Sequence, residues 1–353
     1  MTMSFLERTG VVKTARRERE SILLARAVIR GEPIKTNDGK RLLELAKLNK
    51  VFARAGSLLG VSPVLLDESK ADLAEALALY DLMRGEFDRA GISFVVIKSF
   101  DSLPDMGHDV DLLIPSGSEL EKAKTLLLNK YRVIPQPLTP CDKLLGKFSC
   151  FVRGYKHDFE LYPTISQLGE QHVDPDAILR NRKLETINNK EIWVTSPKDR
   201  VLIRVIHAMF RHNFLKLSDI VDFLQLSEHC TIQEILDAVD QARIPDAFMF
   251  YLECITRFLK ACQAETPFLV ELKTTAEKRF GKDRLGFLRK DKLVLPYRIP
   301  VLAIFLLFLL KGSRATSHGM WRTGMLCFAT PIILILDFVN NALGNRLFAG
   351  RIW

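Results

Sequence analysis

The sequence predicts an α+β protein, in which a small mixed β-sheet is flanked by helices and followed by a helical domain. Segments 109–114 and 157–162 alternate apolar and acidic residues, as strands with one covered face do. Long stretches before residue 90 and after residue 197 repeat apolar residues at helical spacing. Two apolar runs, 301–310 and 325–336, predict a hydrophobic C-terminal helical hairpin.

These elements divide the 353 residues into four predicted regions. They are an N-terminal helical segment (1–90), a sheet core (91–196), a helical domain (197–290), and an apolar, basic tail (291–353). Within the first region, helices are predicted at 16–30, 40–59 and 68–90. The six cysteines include no CxxC pair, which predicts reduced thiols in a cytoplasmic chain. The first residues lack the pattern of a secretory signal peptide, so none is predicted.

The stretch from 94 to 115 contains the first candidate site. A short apolar strand ends at Lys98 and Ser99, and a turn-rich segment leads to a second strand at Asp109. Because strand side chains alternate between faces, Asp109 and Asp111 lie on the same face. Neighbouring carboxylates repel unless a cation lies between them, and Mg²⁺ prefers oxygen ligands. The pair therefore indicates a metal site, although a solvated strand edge gives the same pattern.

A second acidic strand follows at 157–162. Asp158 and Glu160 share one of its faces, and Phe159 and Leu161 share the other. Either carboxylate is a candidate third metal ligand, and the residues alone leave the choice open.

The order of these segments resembles the nucleotidyltransferase superfamily related to DNA polymerase β. It is most similar to the uncharacterised nucleotidyltransferase branch, over about residues 75–265. In that superfamily a Gly-Ser pair follows the first strand, two aspartates bind metal, and a third carboxylate completes the site. The segment 196–222 is similar to the helix pair that follows the catalytic core. The residues after Glu160 look like those after the third carboxylate, which favours Glu160 over Asp158.

The resemblance implies a metal-dependent transfer of a nucleoside monophosphate from an NTP to a hydroxyl-bearing acceptor, with release of pyrophosphate. It implies Mg²⁺ or Mn²⁺ as cofactor, held by Asp109, Asp111 and Glu160, with Asp158 as the alternative catalytic carboxylate. It also implies that Lys98 and Ser99 contact the β- and γ-phosphates. A small molecule, a lipid head group, a glycan and a protein side chain all remain candidate acceptors.

One departure favours a different function. Lys98 stands where the superfamily has the glycine that allows the backbone to approach phosphate. The alternative is a catalytically weak, nucleotide-binding regulatory module that is tethered to a membrane. A template-independent RNA polymerase is disfavoured, because residues 1–270 hold 37 basic and 37 acidic side chains. Nucleic acid is therefore not a predicted partner.

The helical domain contributes further candidates. His207 and His212 are five residues apart, so an α-helix does not place them on one face, and a metal pair there is not predicted. His207 is expected to pack in a helix interface. His212 and Lys216, together with Asp219, are expected to line the cleft and to bind a nucleotide or the acceptor.

The C-terminal tail has a different composition. Residues 271–353 hold 14 basic and 5 acidic side chains, which accounts for the whole net charge of +9. The apolar runs are shorter than a membrane span and flank a basic loop that contains Trp321 and Arg322. This predicts contact with a membrane surface through residues 293–343, with the protein peripheral or monotopic on the cytoplasmic side. A buried helical hairpin in a soluble protein is the alternative.

Overall fold

The computed structural model describes residues 5–34, 39–138, 143, 146–166 and 170–342. Four helices precede the first strand: α1 (Phe5–Arg30), α2 (Gly39–Leu48), α3 (Phe52–Gly56) and α4 (Pro63–Ala90). The single helix expected over 40–59 is thus two helices. The buried Asn49 at the break donates to Leu45 O and accepts from Leu217 N, and Lys50 has a φ of 52°. Both features end α2 and turn the chain toward the sheet.

The sheet combines parallel and antiparallel pairs. In chain order its strands are β1 (Val95–Val96), β2 (Asp109–Leu113), β3 (Ile134–Pro135), β4 (Phe148–Phe151), β5 (Asp158–Tyr162), β6 (Lys183–Ile187) and β7 (Lys190–Val194). Their spatial order is β3-β4-β5-β2-β1-β7-β6. The two acidic strands, β2 and β5, are parallel neighbours at its centre. Helices α5 (Gly117–Lys130) and α6 (Pro175–Arg180) lie in the connections that follow β2 and β5.

The alternation of the two acidic strands separates the faces of the sheet. Val110 and Leu112 on β2 and Phe159 on β5 are buried in one core cluster with residues of α4 and α5. Asp109, Asp111 and Glu160 therefore project from the opposite face. That face is turned toward the helical region, whose core cluster includes Leu113 and Tyr162 from the same two strands.

The helical region begins at α7 (Pro197–Ile206), where the Ser196 side chain accepts a hydrogen bond from Asp199 N. A π-helix (His207–His212) extends α7 directly. The remaining elements are β8 (Phe214–Leu215), α8 (Leu217–Ser227), α9 (Ile232–Gln241), α10 (Pro245–Ala261), α11 (Pro267–Phe280), a 3₁₀ turn (Gly286–Leu288) and β9 (Tyr297–Arg298). Side chains of α1 and α2 are buried in the same core cluster as those of α7 to α11.

Two further helices complete the described chain, α12 (Val301–Ser317) and α13 (Trp321–Ala342). One side of α12 is buried in the core of the helical region, through Ala303, Leu307 and Phe308 among others. The two helices pack closely at Gly312 and Gly324, where a Cβ on either residue would lie 3.1–3.2 Å from the carbonyl oxygen of the other. Among the described residues, no helix is long and apolar enough to cross a membrane.

Candidate active site

Three carboxylates converge where β2 and β5 run side by side. Asp111 lies opposite Glu160 in the parallel register, one step beyond the Asp109–Asp158 pair. One carboxylate oxygen from each of Asp109, Asp111 and Glu160 lies within 4.8 Å of the other two. Asp158 is outside this group, although the sequence left it as an alternative to Glu160. The structure thus brings together the three carboxylates that the resemblance favours, and their catalytic role stays a prediction.

Asp111 is the most deeply buried of the three, with no exposed surface. Burial, followed by repulsion from Asp109, raises its carboxyl pKa to about 7, although the Lys98 ammonium opposes the rise. Lys98 Nζ lies 3.2 Å from Asp111 Oδ2, and the backbone N–H of Asp111 donates to Ser99 Oγ at 2.7 Å. The other carboxylate oxygen, Oδ1, is buried and has no hydrogen-bond partner among the described residues.

Glu160 has the opposite electrostatic environment. Lys147 Nζ donates to its Oε1 at 2.8 Å, and the Tyr162 hydroxyl donates to its Oε2. Burial would raise the pKa of Glu160, but the charge and hydrogen bond of Lys147 outweigh burial and lower the pKa to about 2. Glu160 is therefore ionised at any physiological pH, whereas Asp111 binds a proton readily.

This donor set fits a divalent cation. It offers carboxylate oxygens, which Mg²⁺ and Mn²⁺ prefer over nitrogen or sulfur ligands. A buried carboxylate oxygen without a partner is costly, and a cation bound between Asp109, Asp111 and Glu160 would satisfy it. The raised pKa of Asp111 has the same cause, because a buried carboxylate beside another is poorly stabilised without a positive charge.

A cavity of about 270 Å³ opens over the carboxylates, between the sheet and the helical region. The predicted residues Lys98, Ser99, His212 and Lys216 all line it, as does Asp219. Four further cationic side chains line it that sequence analysis missed, namely Lys50, Lys147, Arg204 and Arg211. Arg211 directly precedes the predicted site residue His212, and this position in the sequence was the signal that could have identified it. Lys50 reaches the cavity only because the helix breaks at Asn49, and nothing in the local sequence indicates this.

Comparisons with known proteins point to one family. Residues 105–260 match a family model described as an uncharacterised nucleotidyltransferase. This part of the chain is therefore similar to nucleotidyltransferases. A crystal structure of an antigenic nucleotidyltransferase-like protein from Paracoccidioides brasiliensis is 13% identical, with a TM-score of 0.34 over 54% of this chain and 94% of that chain. No curated protein matches the chain.

The π-helix shapes one wall of the candidate site. The rings of His207 and His212 lie 5.0 Å apart, so the expectation that they point to different faces is wrong. The reason is that i→i+5 hydrogen bonding aligns residues five positions apart, which an α-helix does not do. Burial, and then the nearby charge of Lys98, lower the pKa of both histidines well below the usual range, so both rings are neutral. The His212 ring stacks on Phe214 at 5.4 Å.

The loop that follows Ser99 is fixed by a buried ionic network. Arg204 on α7 contacts Asp101 at 3.2 Å and the fully buried Asp222 of α8 at 3.0 Å. Asp222 also pairs with Arg54 of α3 at 2.7 Å and accepts a hydrogen bond from Ser102. The network joins the loop to three helices and thereby determines where Lys98 and Ser99 lie.

Gly107 provides a close approach at the other end of this loop. A Cβ at this position would lie 3.2 Å from Asp109 Oδ1 and 3.6 Å from Lys50 Nζ. The family's glycine before Ser99 is replaced by Lys98, but Gly107 leaves space on the other side of the carboxylates. The loop backbone therefore still lies directly against the site.

The pKa of Asp111 predicts how metal binding depends on pH. Because this carboxyl binds a proton up to about pH 7, a metal ion must displace that proton at lower pH. We expect the affinity for Mn²⁺ to rise about tenfold per pH unit below pH 7 and to level off above it. Isothermal titration at several pH values, with Asp111→Asn as control, measures this. An affinity that does not change between pH 5.5 and 7.5 would contradict it.

Proposed function

We propose that the protein transfers a nucleoside monophosphate from an NTP to a hydroxyl-bearing acceptor and releases pyrophosphate. The observation that carries this proposal is the convergence of Asp109, Asp111 and Glu160 beneath a cavity lined by cationic side chains. The match of residues 105–260 to a nucleotidyltransferase family model supports nucleotidyl transfer in general.

The carboxylates and the cations have separate roles in this proposal. Asp109, Asp111 and Glu160 would hold one or two Mg²⁺ or Mn²⁺ ions, which neutralise charge on the triphosphate during an in-line displacement. Lys98 and Ser99 lie against Asp111 and would contact the β- and γ-phosphates. Lys50 also lines the cavity, and no ion pair is found for it among the described residues.

Lys216 and Arg211 complete the phosphate-binding wall. Burial and the nearby Lys50 lower the pKa of Lys216 to about 8, so an anionic ligand beside it would restore its full charge. Arg211 donates to the Tyr162 hydroxyl at 3.1 Å, which links it to the hydrogen bonds of Glu160. In the transfer, the acceptor oxygen forms a bond to the α-phosphorus as the bond to pyrophosphate breaks. The hydroxyl proton passes to a carboxylate of the site.

The acceptor is a compound with a free hydroxyl group, and a small molecule, a lipid head group, a glycan and a protein side chain each meet this requirement. The cavity lining favours a compact acceptor over nucleic acid. Basic and acidic side chains are nearly equal in number there, whereas a protein that follows a phosphate backbone presents a basic groove.

The test measures pyrophosphate release and label transfer from each of the four α-³²P-labelled NTPs with Mg²⁺. A small-molecule extract supplies the acceptor. We expect release with at least one NTP, and a loss of about 100-fold or more in the double variant Asp109→Asn/Asp111→Asn. Asp176→Asn, a change at an exposed position of α6, is the matched control. If neither release nor nucleotide binding differs between wild type and the double variant, the proposal is wrong.

One observation favours a second candidate, a nucleotide-binding module with little turnover. Lys98 pairs with Asp111 and Lys147 pairs with Glu160, so part of the carboxylate charge is neutralised by the protein itself. This candidate predicts metal-dependent NTP binding in equilibrium dialysis without pyrophosphate release. The Lys98→Gly variant, which restores the family's Gly-Ser pair, would then gain measurable release.

A further inference from the structure

The C-terminal helix pair carries an exposed apolar surface that the proposed chemistry does not use. We propose that this surface docks onto an anionic lipid bilayer. We call it the apolar face, and its described side chains are Val301, Leu302, Trp321, Met325, Phe328, Ile332, Ile335, Leu336 and Val339.

The apolar face is continuous along one side of α13. Its members from Trp321 to Val339 follow one another at steps of four and three residues, with Leu336 beside Ile335. This spacing places them in one stripe on a helix, and 18 residues at about 1.5 Å each make the stripe roughly 27 Å long. Each of these side chains is between 37% and 68% exposed.

The opposite side of the pair is anchored to the protein. Thr323, Cys327 and Thr330 on α13 are buried, and the two helices meet at Gly312 and Gly324. Because the helices are antiparallel and meet at these glycines, the first turn of α12 lies beside the distal part of α13. Val301 and Leu302, which are 56% and 54% exposed, lie in that first turn. Because the opposite side of the helix pair packs against the protein, the apolar face stays exposed to solvent.

Elsewhere on the described surface, large apolar side chains are exposed singly or in pairs, such as Val64 with Leu65 and the cross-strand partners Ile134 and Phe151. Phe287 and Val270, at 77% and 51% exposure, lie in different elements and belong to no such stripe. Single exposed apolar residues are common on soluble proteins, whereas a contiguous patch indicates an interaction surface.

The distribution of charge selects a lipid surface as the partner. The C-terminal 83 residues carry the whole net charge of the chain, with 14 basic and 5 acidic side chains. Exposed arginines stand at both ends of the stripe, Arg298 before α12 and Arg322 next to Trp321. Anionic head groups attract such residues by about 1 kcal/mol each, and tryptophan is enriched at the level of the head groups.

The same charges disfavour a second copy of the chain as the partner. Two stripes can pair in a parallel or an antiparallel arrangement, and each arrangement brings the basic end of one copy against a basic end of the other. Repulsion between these like charges would lower the affinity of one copy for another, whereas an anionic membrane attracts both basic ends.

The test is co-sedimentation of the full chain with vesicles of phosphatidylcholine alone or with 30% phosphatidylglycerol. We expect binding to the anionic vesicles, and at least a tenfold weaker partition for Ile332→Glu/Ile335→Glu. The matched control is Val270→Glu/Phe287→Glu, which adds the same two charges at apolar side chains of comparable exposure outside the face. This control should bind as wild type does. Met325→Asp, a single change at a 65% exposed residue, should weaken binding in the same direction.

The basic ends have their own test. Arg298→Gln/Arg322→Gln should reduce the preference for anionic vesicles, and the preference of the wild type should fall as salt is raised. The proposal is overturned if the wild type does not sediment with anionic vesicles, or if the glutamate pair in the face does not weaken binding. It is equally overturned if the wild type dimerises through the face, which equilibrium sedimentation would show as a dimer lost in Ile332→Glu/Ile335→Glu without vesicle binding.

Discussion

Asp111→Asn is expected to lower the rate of nucleotidyl transfer by about 10²–10³-fold. The substitution keeps the size of the side chain and one oxygen ligand, but it removes the negative charge at the centre of the carboxylate group. Pyrophosphate release under saturating NTP and Mg²⁺ measures this loss. Glu160→Gln should have an effect of the same order, because Glu160 lies opposite Asp111 in the register.

Asp158→Asn is the matched control for this prediction. Asp158 lies on the same strand as Glu160, two residues away, and opposite Asp109, yet it is outside the group whose oxygens lie within 4.8 Å. We expect its substitution to change the rate by no more than a few fold. A loss in Asp158→Asn that equals the loss in Glu160→Gln would show that the third ligand is assigned to the wrong residue.

The thermal stability of Asp111→Asn shows whether this variant loses activity because a catalytic group is missing or because the protein unfolds. Burial raises the pKa of Asp111 in the folded protein to about 7, well above that of a free aspartate, so its ionisation destabilises the fold increasingly as pH rises toward 7. Asparagine cannot ionise, and the metal-free variant should therefore have a higher Tm than wild type at pH 8. Mg²⁺ or Mn²⁺ should raise the Tm of wild type and leave that of the variant nearly unchanged. A lower Tm for the variant at pH 8 would contradict this account.

The carboxylate group could be predicted because its pattern is local. Period-two alternation places Asp109 and Asp111 on one face of β2, and Asp158 and Glu160 on one face of β5, and nothing outside each strand is needed to infer either pair. The choice between Asp158 and Glu160 was different, because it depends on the register between strands. The parallel pairing of Asp111 with Glu160 supplies that information.

Other parts of the site depend on contacts that are distant in sequence. Lys50 reaches the cavity because Asn49 accepts a hydrogen bond from Leu217 N, 168 residues away. The π-helix at 207–212 has no evident sequence signal, so the histidine pair was misjudged. Strand β6 (Lys183–Ile187) was missed for another reason. Its side chains are mostly exposed, so it lacks the alternation that identified β2 and β5.

Arg204→Met is expected to lower the free energy of unfolding by about 3–5 kcal/mol. The substitution removes one of the two arginines beside each of the buried Asp101 and Asp222, which keep only Arg200 and Arg54. It also removes a donor to Ser102 Oγ at 3.2 Å. Removing one partner of a buried ion pair costs more than the pair contributes, because the remaining charge is less fully compensated. Urea unfolding of the full chain at pH 7 measures the change.

Arg279→Met provides the control for the loss of an arginine with two acidic partners. Arg279 contacts Asp237 at 2.7 Å and Asp240 at 3.0 Å, but the side chains of those partners are 45% and 57% exposed. Water screens this pair, so we expect a loss of no more than about 1 kcal/mol. Equal losses in the two variants would show that burial of the Arg204 network contributes nothing.

A second substitution tests whether uncompensated charge is the cause. In the Arg204→Met background, Asp222→Asn removes one carboxylate that has lost an arginine partner, and it should restore part of the lost stability. Arg54, which also pairs with Asp222, limits the restoration. Asp101 and Ser102 follow Ser99 by two and three residues, so the same network holds the loop after Ser99 against Asp111. Weaker binding of Mg²⁺–NTP by Arg204→Met, at a temperature where the variant is folded, would show that the network positions the site as well as stabilising the fold.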